Sequence, residues 1–458
     1  MNVKTQLKSL REEINGEVIE PSDRGYEESK EVFYLEFNAR KPLAVVRVAD
    51  ATDVSKVIRL VRDTGLDLAV RSGGHSALGH GIIDEGLVLD LSALKGIDVD
   101  VAGRTAWAGG GVLAGEYLTK VAPHGLATGF GDTGSVGVSG LTLGGGVGLL
   151  HRKLGMTIDS VIGAEIVTAD GEIRRIDDEN DPDLFWAIRG GGGNFGAVTR
   201  LHFRLHPVDT VVGGMLILPA TPKVIADFVE VAEEASDELS VIAGVMVAPP
   251  MPFLPEEVHG ELVVFAVMAH AGDIATGEAE VEPFRKLATP LVDDVKVIPY
   301  PEMFPPEEAG PPQPVAMSVR SLFSDGFTDD DAEAVVDAIR SSTAPMRITQ
   351  IRVLGGAVAR VPAEATAFAH RDRSMMVNVA AAYDDPTDRP EHNTWVNSLS
   401  GKLRRGAPGA YIGFLGDDSE AAVRDAYPTA TWDRLVEVKT KYDGQNLFHS
   451  NHNIPPRL

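Results

Sequence analysis

Between residues 71 and 76 the chain reads Arg-Ser-Gly-Gly-His-Ser, and further on it returns to glycine as Gly140-Leu-Thr-Leu-Gly-Gly-Gly-Val-Gly148. The apolar run Leu66-Asp-Leu-Ala-Val70 ahead of the first segment predicts a strand ending in a tight turn, with one imidazole, His75, beside exposed amides. The second segment is too glycine-dense for a stable helix interior. It reads as a loop whose N–H groups can approach phosphate oxygens. Together they suggest a dinucleotide held by its pyrophosphate, with a histidine near the reactive ring.

At 458 residues the chain is too long for one compact core, so two domains are expected. Apolar residues make up 44% and charged residues 24%, which argues against disorder. The sequence holds no cysteine, which excludes disulfides, thiolate zinc sites and cysteine nucleophiles. A net charge of −25 would repel a polyanion and argues against nucleic-acid partners. The acidic residues are spread along the chain and read as an ordinary solvated surface, with a high-salt host as the alternative. The N-terminus lacks the apolar core of a secretory signal, and no apolar run reaches membrane-spanning length, so a cytoplasmic location is expected.

Strand-like runs (Val45–Val48, Leu87–Leu91, Thr105–Ala108, Ala164–Thr168) alternate with helical ones (Thr52–Asp63) up to about Pro207, after a helical lead-in over 1–33 that ends near Glu20-Pro-Ser-Asp23. Beyond that point strands are expected at Val211–Leu218, Val241–Val247, Glu261–Ala269, Met346–Leu354 and Met375–Ala382, with helices at Pro222–Ala235 and Thr328–Ser341. The proline-rich stretch Pro299–Pro314 reads as a surface loop near the substrate entrance. Gly191, Gly193 and Gly196 imitate a nucleotide-binding G-x-G-x-x-G, but a helix-like segment precedes them and a strand-like one follows. A Rossmann reading requires the reverse order.

Four motifs occur in order: Arg71–Ser76, Val136-Gly-Val-Ser-Gly-Leu-Thr-Leu-Gly-Gly-Gly146, Asp183-Leu-Phe-Trp-Ala-Ile-Arg-Gly-Gly-Gly-Gly-Asn-Phe-Gly196 and Asn446-Leu-Phe-His-Ser-Asn-His-Asn-Ile-Pro-Pro456. In these the chain resembles the FAD-linked oxidoreductases of the vanillyl-alcohol oxidase superfamily, in the berberine-bridge-enzyme-like branch, with bacterial 6-hydroxynicotine-oxidase-like and polyketide-tailoring members nearest. The resemblance implies an α+β fold: a PCMH-type FAD-binding domain plus an antiparallel-sheet substrate domain with helices on one face. The implied division is a helical lead-in at 1–34, the FAD-binding domain at 35–208, the substrate domain at 209–430, and a C-terminal segment at 431–458 returning to the FAD domain.

It further implies covalent FAD attachment through His75, which raises the flavin's potential. Where many relatives carry a second, cysteine tether this chain has Thr133, so attachment is expected to be single. Arg71, Ser72, Gly73, Gly74 and Ser76 would surround the tether. Gly137, Ser139, Gly140, Thr142, Gly144, Gly145 and Gly146 would supply amides and hydroxyls to the pyrophosphate. Val136 matches the position governing dioxygen access and leans toward an oxidase. Asn194, Val198, Asn451 and Asn453 sit where relatives touch the cofactor.

In the substrate half, Gln350 and Arg352 share one strand face, and Arg352 would favour an anionic or carbonyl-bearing substrate. Asn378, with Met376, aligns with a cleft-lining strand. Tyr411 matches a tyrosine serving as base in relatives, which requires a cation such as Arg352, or the flavin system itself, to lower its pKa. The implied activity is an oxidase moving hydride from a C–H beside an alcohol or amine of a small molecule to flavin, with dioxygen as acceptor. The alternatives are a dehydrogenase with another acceptor or a catalytically silent flavin-binding protein. His202 with His206, and His449 with His452, are pairs without clustered carboxylates, so no metal site is expected.

Overall fold

The computed structural model describes residues 3–250, 254–304 and 315–457; most of the proline-rich stretch, 305–314, lies outside them. Helix Val3–Glu13 opens the chain, but the expected helical lead-in is interrupted. Glu17–Ile19 is a strand that pairs antiparallel with Ala44–Arg47 and so joins the first sheet, continued in order by Leu87–Asp90 and Leu68–Arg71 in parallel. Helix Ala51–Thr64 covers this sheet with Val54, Val57, Ile58 and Val61. Its ends are explicit in the sequence: the Asp50 carboxylate accepts from the amides of Thr52 and Asp53, and Gly65 closes it at φ 69°.

A second, antiparallel sheet runs in the order Ile97–Asp100, Thr105–Gly109, Ala197–Arg204, Val161–Val167, Ile173–Ile176. The run Gly190–Gly196 links helix Pro182–Ile188 to strand Ala197–Arg204. Helix before and strand after is the reverse of a Rossmann turn.

The other half is one antiparallel sheet: Val292–Asp293, Thr210–Pro219, Leu262–His270, Leu239–Val247, Met346–Val353, Met375–Tyr383, Ala316–Ser324, with Lys296–Pro299 also on Thr210–Pro219. Alternation along each strand divides its residues between two faces. Val241, Ala243, Val245, Ile351, Val353, Val377, Val379 and Leu322 meet helices Pro222–Glu234, Asp329–Ser341 and Arg389–Leu403. The opposite face carries Gln350, Arg352, Met376, Asn378, Ser321 and Phe323 toward the first half. This is the expected α+β architecture, with helices on one side of this last sheet.

Helix Thr429–Tyr442 buries Trp432, Leu435 and Val436 among Leu184–Ile188 and Phe195 of the first half. A tail without regular structure then crosses the same half. Its fastener is Lys439, fully buried, whose ammonium donates to Asn194 O (2.9 Å), Phe448 O (3.0 Å) and Asp443 Oδ2 (2.6 Å). The Asp443 carboxylate also accepts from the amides of Leu447 and Phe448.

Candidate active site

The two glycine segments touch backbone to backbone. A Cβ on Gly137 would lie 2.5 Å from Gly73 N, and one on Gly73 would collide with Gly137 N in return, so neither position admits a side chain. Gly74 turns the chain at φ 74°, Ser72 Oγ donates to Gly110 O (2.7 Å), and Ser76 Oγ accepts from Leu78 N. The His75 ring lies against Phe33 (centroids 4.3 Å, planes 23° apart). Burial pushes its pKa down to about 4, outweighing the pull of the Ser135 carbonyl, so the imidazole is neutral with a free nitrogen lone pair near pH 7.

Arg71 requires a correction as a cofactor ligand. Its guanidinium is buried, donates to Ser29 O and Glu31 O, and pairs with Asp90 Oδ2 at 3.1 Å. It anchors the N-terminal segment behind the turn.

The second glycine segment is helical over Val138–Gly144, contrary to the loop expected there. Only Gly140 is an interior glycine, and the core contacts of Val138 and Leu143 outweigh its ~1 kcal/mol propensity deficit. The chain breaks at Gly145 (φ 130°) and Gly146 (φ 76°), where a Cβ on Gly146 would overlap the Thr157 hydroxyl. Thr142 Oγ1 is spent on Val138 O, Gly140 is open to solvent, Gly144 faces Ile412, and Val136 is half-buried. Thr133 is exposed, and its hydroxyl donates to Asp132 Oδ1.

Asn194 also departs from its expected role. Its amide donates to Gly191 O (2.9 Å) and His452 O (3.1 Å) and accepts from Ile454 N (2.9 Å), so it fastens the tail. Val198 is core, paired with Ile166. By contrast Ser139 Oγ, Asn451 Oδ1 and Asn453 Oδ1 are shielded from solvent without a hydrogen-bond partner among the described residues. Buried polar atoms left open in this way fit a polar cofactor lying along the glycine segments and the tail.

Where the glycine segment meets the open sheet face, Arg352 is buried (2% exposed). It donates to Gln350 Oε1 from Nε (3.2 Å) and Nη2 (2.9 Å), to Val147 O, and to Asp132 Oδ2 at 2.7 Å, with Phe414 beneath its plane. The expected anion-binding role is corrected accordingly: Asp132 already neutralises the guanidinium. Gln350, Asn378 and Ser321 form one row across adjacent strands, and Asn378 Oδ1 is buried without a hydrogen-bond partner among the described residues.

Tyr411 directly precedes the short turn Ile412–Phe414. Its oxygen accepts from Gly146 N (2.8 Å) and its amide donates to Ser321 Oγ. Burial pushes its pKa up to about 12, although the Gly146 hydrogen bond and Arg352 pull downward. Arg352 therefore does not make it a standing base. Both nitrogens of His151 face carbonyls, Nδ1 toward Gly148 O (2.6 Å) and Nε2 toward Val353 O (2.8 Å), yet burial drives its pKa down to about 4.

Sequence reasoning missed Asp132 and Ser321. Asp132 adjoins the flagged Thr133, so a search for carboxylates near Arg352 had a signal to follow; Ser321 becomes visible only through strand register.

The FAD binding domain family model matches residues 42–177, and the Berberine and berberine like model matches residues 410–455. The chain is 30% identical to the (R)-6-hydroxynicotine oxidase of Paenarthrobacter nicotinovorans over 97% of each protein. It is also 30% identical to an FAD-linked oxidoreductase of Dictyostelium discoideum over 94% of each. Among solved structures, 6-hydroxy-D-nicotine oxidase from Arthrobacter nicotinovorans superposes with a TM-score of 0.85 at 27% identity, covering 97% of this chain and 98% of that one.

Proposed function

The chain belongs to the FAD-linked oxidoreductases with a berberine-like C-terminal segment, and from that premise we propose that it is an oxidase of a small molecule, attached to FAD through His75 alone. When bound, FAD supplies a two-electron acceptor for hydride from a C–H beside an amine or alcohol, and its reoxidation by dioxygen gives hydrogen peroxide.

The chain's residues provide attachment, grip and alignment. A neutral imidazole at His75 keeps a nitrogen lone pair for the bond to the cofactor. Gly137 and Ser139 would face the diphosphate, Gly145 and Gly146, whose amides donate to Thr142 O and the Tyr411 oxygen, would shape the turn beside it, and Asn451 and Asn453 would bring open amide oxygens from the tail. In the substrate row, the Gln350 carbonyl is committed to Arg352, leaving its amide hydrogens as donors, while Asn378 Oδ1 remains an open acceptor. Such a pair orients a donor by its O–H or N–H.

No group in this row is a ready base: Tyr411 holds its proton near neutral pH and the Arg352 cation is paired with Asp132. Donors that release hydride without prior proton removal are therefore favoured, which places neutral amines ahead of alcohols. Valine at 136, smaller than the leucine that tends to block dioxygen at the matching position of relatives, supports oxidase over dehydrogenase.

The observation that carries the reading is the Gly73–Gly137 contact with a neutral His75 at its rim. Acid precipitation tests it: yellow colour should stay with the pellet and be lost from it in His75→Ala. Colour released to the supernatant of the unmodified protein would refute the tether. Peroxide formation across a panel of amines and alcohols tests the activity, and anaerobic dye reduction without peroxide would instead identify a dehydrogenase.

A further inference from the structure

Three residues far apart in sequence meet outside the groups assigned to the flavin and substrate. His80 follows the Arg71–Ser76 turn, Asp418 precedes helix Glu420–Asp425, and His452 belongs to the tail. Both Asp418 carboxylate oxygens lie 3.0 Å from His80 Nε2, and Oδ1 lies 3.0 Å from His452 Nδ1. The rings stand edge to face at 4.7 Å and 88°, and the three donor atoms fall within 4.8 Å of one another.

A second observation concerns His452 alone. Its Nδ1, 3.0 Å from Asp418 Oδ1, is shielded from solvent and has no hydrogen-bond partner among the described residues. A lone pair in that position is suited to a Lewis acid.

We propose that His80, Asp418 and His452 bind one divalent cation with zinc-like preference, completed by solvent, which staples the tail to the loop behind the cofactor turn. Two imidazoles and a carboxylate match zinc and its neighbours, whereas calcium and magnesium require more oxygens. Tetrahedral donors about 2.0–2.1 Å from zinc lie roughly 3.3 Å apart. Two of the pairs are already near that separation, and the third closes by side-chain rotation. The tail is tied at the same point by Asn194, which donates to His452 O. The site is independent of whether the flavin reading holds.

The test uses full-length protein without a histidine tag, stripped with a chelator and titrated with Zn²⁺ alone, read by calorimetry and by metal content after dialysis. One ion per chain is expected. Affinity should fall by about 100-fold or more in Asp418→Asn and in His80→Gln, at or beyond the top of the range for outer-shell changes, and stay unchanged in His449→Ala. Circular dichroism confirms that each variant is folded. Intense visible bands from Co²⁺-loaded protein, lost in Asp418→Asn, would support tetrahedral binding. Failure to take up one ion, or equal affinity in Asp418→Asn, would overturn the proposal and leave Asp418 hydrogen-bonded to His80 with His452 beside it.

Discussion

Replacing Lys439 by methionine removes the ammonium that ties helix Thr429–Tyr442 to Asn194 O and Phe448 O, and leaves the Asp443 carboxylate buried without its counter-ion. Both side chains are 0% exposed, so water cannot compensate where they stand. Breaking such a pair from one side costs about 3–5 kcal/mol. At about 1.4 kcal/mol per factor of ten, the population with the tail released rises roughly 100- to 4,000-fold. Hydrogen exchange reads this directly. The Leu447 and Phe448 amides donate to Asp443 and the Ile454 amide to Asn194, so all three should lose protection together while strands of the far sheet keep theirs. Adding Asp443→Asn to Lys439→Met removes the stranded charge but keeps an acceptor, and should restore part of the protection. Unchanged exchange in Lys439→Met, or a double variant more exposed than the single one, would refute the argument that this pair holds the tail.

Val136→Leu should slow reoxidation by dioxygen in stopped-flow while leaving anaerobic reduction by substrate unchanged; equal slowing of both would point to packing. Tyr411→Phe leaves the buried Gly146 amide without its acceptor, a loss of about 1–3 kcal/mol. Turnover should drop with no limb of the pH profile removed below pH 9, whereas loss of a limb would mark Tyr411 as a base after all. His151 binds a proton less readily folded (about 4) than unfolded (~6.5), so the unfolded state takes up more protons between those values. Its effect on stability is neutral above pH 6.5 and grows as pH falls, reaching about 3 kcal/mol near pH 4. His151→Gln should flatten this decline in the melting temperature, and an unaltered profile would show that the ring is already charged in the fold.

Much of this was legible where a local pattern carried the physics. Alternation at Thr349–Val353 correctly put Gln350 and Arg352 on one face, and the apolar spacing of Val54, Val57, Ile58 and Val61 marked a helix face that is buried. The long-range partners were not legible. Arg352 invited an anionic substrate until Asp132, on the other half of the molecule, was seen to neutralise it. Arg71 sits in a cofactor motif yet faces the other way, toward carbonyls some forty positions earlier. Glycine count misread Val138–Gly144, since propensity is a small term beside the burial of Val138 and Leu143. His80 and Asp418 lie 338 positions apart and leave no trace in spacing.

The sheet that carries Gln350 and Asn378 keeps what holds it together on one side and the proposed substrate row on the other, in alternation along the same strands. Val377 and Val379 brace the helices, while Asn378 between them belongs to the opposite face. A lineage could therefore rewrite the chemical preference of Gln350, Asn378 and Ser321 one position at a time without loosening its scaffold, and so drift widely in diet while conserving its architecture.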